Sequence, residues 1–136
     1  MVNNENIEFN TGNLTKTELK MILDSLPIDI TFVDKDDEVK YFNKLEARIF
    51  KRSPKVIGLN VRNCHPEKSL YKVTTILDDF RNRKRKVAEF WINLNGQLIY
   101  IRYFPVRNMQ GDYLGCLEVT QDISELMKLK GEKKLL

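Results

Sequence analysis

The sequence predicts an α+β domain, a five-stranded antiparallel sheet of short strands with helices over one face. Three observations carry that expectation. Asn95-Gly96 sits between two alternating apolar runs, the strongest short-range signal for a hairpin. Leu70, Val73, Leu77 and Phe80 recur at helical spacing and mark one long amphipathic helix over 67–81. The overall order is helix, two strands, several short helical turns, the long helix, three strands, helix. At 136 residues the chain suits one domain with a real core, and 31% charged with 42% hydrophobic residues is an ordinary soluble balance.

Element by element, residues 1–13 are Asn-rich with only Ile7 and Phe9 as apolar anchors, and read as a polar tail. Residues 15–26 read as a helix. Leu14-Thr15-Lys16-Thr17-Glu18 resembles a capping box, Leu19, Ile22, Leu23 and Leu26 form a stripe, and Pro27 ends it. Strands at 30–33 and 39–42 flank the acidic turn Asp34-Lys35-Asp36-Asp37-Glu38. That run lacks the glycine and the distal glutamate of an EF-hand loop, so a turn is the better reading than a calcium site. Asn43 is expected to cap a short helix containing Leu45, Ala47, Ile49 and Phe50, and residues 54–59 a further helical turn ended at Gly58. Strands follow at 87–94, 98–106 and 113–120, the last reached through Asn108-Met109-Gln110-Gly111-Asp112. Residues 123–136 read as a basic helix with Leu126, Leu129 and Leu135, interrupted by Gly131.

The chemistry-bearing residues are few. His65 is the only histidine, and it stands just before Pro66, which suits a helix start. From the residues alone, a surface histidine in a polar loop is the stronger account. Cys64 and Cys116 are too few and too far apart for a disulfide scaffold or a zinc knuckle. A single histidine, without a matched carboxylate pair or a glycine-rich phosphate loop, argues against an enzyme. The net charge of +4 is concentrated at residues 81–86 and 128–134. Neither run has interleaved aromatics or a DNA-reading motif, so solvated loops are expected and direct nucleic-acid binding is not. No apolar run approaches the ~18 residues of a membrane span, and the start does not resemble a signal peptide. A cytoplasmic setting without membrane contact is expected.

The order and its local wording resemble a PAS domain. The match is carried by Asp34, by Val39-Lys40-Tyr41-Phe42-Asn43, by Ile57-Gly58, by Asp112-Tyr113-Leu114-Gly115, and by the closing Val119-Thr120-Gln121-Asp122-Ile123-Ser124. The closing phrase is similar to the junction that couples PAS sheets to a following signalling helix. The resemblance thus implies a sensor domain over 14–122, with its N-terminal flanking helix, and a signalling helix over 123–136. Thr11-Gly12-Asn13-Leu14, residues 26–34 and Ala88-Glu89-Phe90-Trp91-Ile92 resemble PAS modules at the C-terminal end of bacterial and archaeal proteins that carry haemerythrin-type domains. A homodimer paired through the 15–26 helix, with the 123–135 helix, and a downstream signalling domain or partner protein are expected.

A second resemblance concerns His65-Pro66-Glu67-Lys68-Ser69. It is similar to the segment that supplies the haem-iron histidine in carbon-monoxide-responsive PAS regulators fused to LytTR DNA-binding domains. The resemblance implies that His65 is the metal ligand of a haem b in a gas or redox sensor. The positions that supply the other iron ligands in those regulators fall near Arg85 and at Phe90, which cannot serve, so an open sixth site is expected. Alternation nominates Phe32, Phe90, Ile92, Ile99, Ile101, Leu117 and Val119 as the inner sheet face, with Leu70, Val73 and Leu77 facing them from the long helix. The expected cofactor wall is Phe90, Ile92, Ile101, Leu70, Val73, Leu77 and Leu117. The alternative is a ligand-free dimerisation module whose interior is packed core.

Overall fold

A computed structural model describes residues 5–136 of the chain. Its centre is a five-stranded antiparallel sheet in the order β4-β3-β7-β6-β5, with β3 at Asp29–Asp34, β4 at Val39–Phe42, β5 at Ala88–Leu94, β6 at Gln97–Arg107 and β7 at Tyr113–Asp122. The expected sheet is therefore present, with β6 and β7 slightly longer than the alternation indicated. Asn95 (φ 51°) and Gly96 (φ 81°) form the tight β5–β6 turn, both in the left-handed region that a type I′ turn requires. The acidic run is the expected turn, the connection between β3 and β4. Asp34 turns its Oδ1 back to accept from the Asp36 and Glu38 amides at 2.9 and 3.1 Å.

The long helix α2 spans Glu67–Arg81, as its periodicity predicts, with Pro66 at the N-cap. Ile76, Leu77 and Phe80 are buried against the sheet, joining Val39, Val61, Ala88 and Cys116 in one core cluster. Residues 54–56 and 61–63 form 3-10 turns between β4 and α2. The first matches the expected turn near Gly58.

Three stretches differ from the sequence expectation. Residues 1–4 of the expected tail lie outside the described residues, but the rest of it forms a β-hairpin, β1 (Asn6–Phe9) with β2 (Gly12–Thr15). Ile7 and Phe9 alternate with polar residues, and Gly12 (φ 140°) follows a two-residue turn, so the hairpin signal was present but short. The hairpin leads directly into α1, Lys16–Ser25, whose capping box is formed as expected: Glu18 N–H donates to Thr15 Oγ1, and Thr15 N–H to Glu18 Oε1.

The expected short helix after Asn43 does not form, and residues 43–50 are irregular. Lys44 adopts φ 53°, and the Arg48 guanidinium takes the carbonyls of Asn43, Phe50 and Ile30 at 2.8, 3.1 and 3.2 Å. Asn43 does not cap a helix. Its buried amide accepts from Ile30 N–H at 2.7 Å and donates to the Leu23 and Ile28 carbonyls, tying α1 to the start of β3.

The expected C-terminal helix is reduced to one 3-10 turn at Leu126–Lys128. Leu129 and Leu135 are exposed and Gly131 sits at φ 62°. With no surface to bury its leucines, a segment of this length lacks what stabilises a short helix in water.

Candidate functional site

Between α2 and the concave face of the sheet lies a cavity lined by residues of β3, β4, α2, β6, β7 and the segment joining β4 to α2. It offers about 30 Å³ to the centres of water-sized molecules, against the ~300–1,000 Å³ of sites for drug-sized ligands. Most of its wall is apolar: Val33, Val39, Val61, Val73, Ile76 and Leu77.

One end is polar. The Arg52 guanidinium donates to Glu118 Oε1 at 3.1 Å and, through Nε, to Thr31 Oγ1 at 3.1 Å. Their side chains are only 20% and 12% exposed, so the pair is largely shielded from water. Arg48 donates to the same Thr31 oxygen at 3.1 Å, and burial lowers its own pKa. Tyr103 stands opposite Glu118 in the β6–β7 register. Burial, followed by the nearby carboxylate, pushes its pKa far above the phenol range. Thr31, Tyr103 and Glu118 come together because Thr31 and Tyr103 are the register partners of Glu118 on its two neighbouring strands. Arg52 arrives from the irregular segment that Arg48 organises.

Cys64 and His65 also line the cavity. His65 Nδ1 lies 3.0 Å from the Val61 carbonyl, which a protonated Nδ1 satisfies by donating, leaving Nε2 without that bond. The Cys64 thiol donates weakly to the Asn60 carbonyl at 3.5 Å. Cys116 lines the same cavity from β7, and burial pushes its thiol up to about 12.

Of the residues expected from sequence, His65, Val73 and Leu77 line this cavity. The others do not. Phe90 is half-exposed and packs edge-on against Tyr103, with ring centroids 6.2 Å apart. Ile92 and Ile101 share its sheet face but lie outside the lining, as does the half-buried Leu70 of α2. Leu117 faces away altogether. It pairs with Phe32 and Phe104, whereas the cavity side of β7 carries Cys116 and Glu118. Phe32 and Val119, expected on the inner face, are likewise on the outer one. In β3 and β7 the inner face is one residue out of phase with the expected one, because polar Thr31, Glu118 and Thr120 point inward while large apolar residues cover the back.

A haem does not fit this interior. His65 supplies one nitrogen, but the remaining space is far below that of a porphyrin. Among the described residues no group of three metal-ligating side chains occurs.

The family model described as PAS domain matches residues 19–124. No curated protein matches the chain. Among solved structures, a C-terminal domain from Streptococcus mutans is 36% identical, with TM-score 0.87 over 93% of this chain and 98% of that one. A sensory box sensor histidine kinase from Vibrio cholerae is 15% identical, TM-score 0.56, covering 78% of this chain and 89% of that chain. The PAS domain of Bordetella pertussis BvgS is 18% identical, TM-score 0.58, covering 81% and 89%. The family model spans most of the chain, from within α1 to the end of β7, and the chain belongs to the PAS domain family.

Proposed function

We propose that this chain is a sensory PAS module whose interior cavity takes a small, largely apolar molecule bearing one polar group, and whose output leaves through the end of β7. The observation that carries the reading is the shielded Arg52–Glu118 pair at the head of an apolar cavity. A polar group entering there accepts from the guanidinium or donates to the carboxylate, and thereby competes with the pair. Glu118 stands on β7, four residues before Asp122. The strand end is held by three bonds: Ile123 N–H to the Leu98 carbonyl, Leu98 N–H to Ser124 Oγ, and Ser124 N–H to Asp122 Oδ1, each at 2.9 Å. A shift of Glu118 along β7 would load that clamp and reorient the segment beyond it. The sensor histidine kinase among the structural neighbours supports a signalling context for such a module.

A ligand-free interaction module is the second reading, favoured by the small cavity, which as it stands admits only a few heavy atoms. One experiment separates the two. Native mass spectrometry of the freshly purified chain, with thermal-shift screening of small neutral and acidic metabolites, should find a retained or stabilising molecule. Glu118→Gln should weaken its binding about tenfold, while Leu45→Ala, on the exposed loop, should not. If nothing is retained and nothing stabilises, the ligand-free module stands instead.

A further inference from the structure

The two edges of the sheet are treated differently. At the β4 edge the neighbouring loop closes over the strand: Val39 N–H donates to the Leu59 carbonyl at 2.9 Å, and Gly58 N–H to the Val39 carbonyl at 2.8 Å. At the β5 edge no described segment does the same. Ala88–Leu94 pairs with β6 without a bulge and carries neither lysine nor proline, the usual means of blunting an edge. Trp91 is 64% exposed, and Phe90 and Ile92 about 40%.

The pairing geometry shows which backbone groups are free. Leu94 and Gln97 close the two-residue turn, so they and the alternate pairs Ile92–Ile99 and Phe90–Ile101 exchange the β5–β6 hydrogen bonds. Leu98 confirms that phase, since its N–H and C=O bond away from β5, to Ser124 and Ile123. Glu89, Trp91 and Asn93 therefore turn their N–H and C=O groups to the open edge.

We infer that β5 is a docking edge for a second copy of this chain, joined antiparallel about a two-fold axis through Trp91. In that register Trp91 faces its own copy, and Glu89 and Asn93 face one another, each pair exchanging two N–H···O bonds. Phe90 falls opposite Ile92, an aromatic–β-branched pair of the kind that stabilises sheets. No like charges oppose each other. The single acid of the strand meets an amide, and the basic run ending at Lys86 meets the neutral Asn95-Gly96 turn of the partner instead of its own copy. The strand is self-complementary, which a two-fold interface demands. This inference is independent of what the interior cavity holds.

Analytical ultracentrifugation of the full chain tests it. The wild type should dimerise in the micromolar range. Asn93→Glu places two glutamates opposite Glu89 at both ends of the interface and should raise the dissociation constant about tenfold. Adding Glu89→Lys turns both contacts into opposite-charge pairs and should restore it to within about threefold of wild type. A chain that stays monomeric at high micromolar concentration overturns the inference. So does a dimer that ignores Asn93→Glu, or one lost instead through Ile22→Glu on the exposed face of α1.

Discussion

Asn43 shows how much one buried amide can organise. It is 1% exposed, and its side chain accepts from the Ile30 amide, donates to the carbonyls of Leu23 and Ile28, and meets Arg48. Removing it orphans these groups at the junction of α1, β3 and the loop that delivers Arg52. Asn43→Ala should cost about 2–3 kcal/mol in urea unfolding, because buried donors and acceptors lose partners that water cannot replace. His65 makes the opposite case. Its position in the sequence invites a ligand role, yet its ring is anchored to Val61 in a cavity without room for a porphyrin. Titration with haem should give the same absorbance in the Soret region for wild type and His65→Ala. A band that depends on His65 would refute this reading.

At the scale of elements, the central strands depend on close approach. A Cβ on Gly115 would lie 2.1 Å from the Val33 carbonyl oxygen and 2.8 Å from the Phe32 ring, and its φ of 150° is one that side chains rarely adopt. Gly115→Ala must push β3 and β7 apart at the strands that carry Thr31 and Glu118. We expect a loss above ~3 kcal/mol in chemical denaturation, or no folded protein at all. The helix α1 is less constrained: none of its residues is fully buried, and Met21 and Ile22 are about half-exposed. Its capping box therefore matters more than its packing. Thr15→Ala should lower the melting temperature measurably, at a cost of about 1 kcal/mol.

For the whole molecule, burial of ionisable groups sets the response to alkali. The Cys116 thiol ordinarily titrates at 9.0 and is pushed up to about 12, and the Tyr113 phenol moves from 10.0 to about 12, in both cases mainly by burial. Tyr103 shifts in the same direction. Between the ordinary and the raised values the unfolded chain releases these protons and the folded chain keeps them. The unfolded state then binds fewer protons, so stability is full below pH ~9 and falls as pH rises towards 12. Melting followed by circular dichroism should show that decline, and Cys116→Val should remove the part that begins near pH 9.

Local features were legible without the fold. The bounds of α2, the β5–β6 turn at Asn95-Gly96 and the Thr15–Glu18 capping box follow from interactions within a few residues, so composition and spacing determine them. The β3–β7 pairing at the centre of the sheet, by contrast, joins segments that are distant in the chain. The candidate site was not legible in that way. Arg52 and Glu118 are 66 residues apart, and their partners Thr31 and Tyr103 come from two further strands. Strand alternation identified two faces of β3 and β7 without identifying the inner one, because their inward positions include threonine and glutamate while phenylalanine, leucine and valine cover the back. The irregular path of residues 43–50, like the loss of the C-terminal helix, turned on a tertiary question. Helical periodicity marks which residues can share a face. Only packing decides whether that face meets a surface, and whether a buried guanidinium takes the carbonyls that a helix would have used.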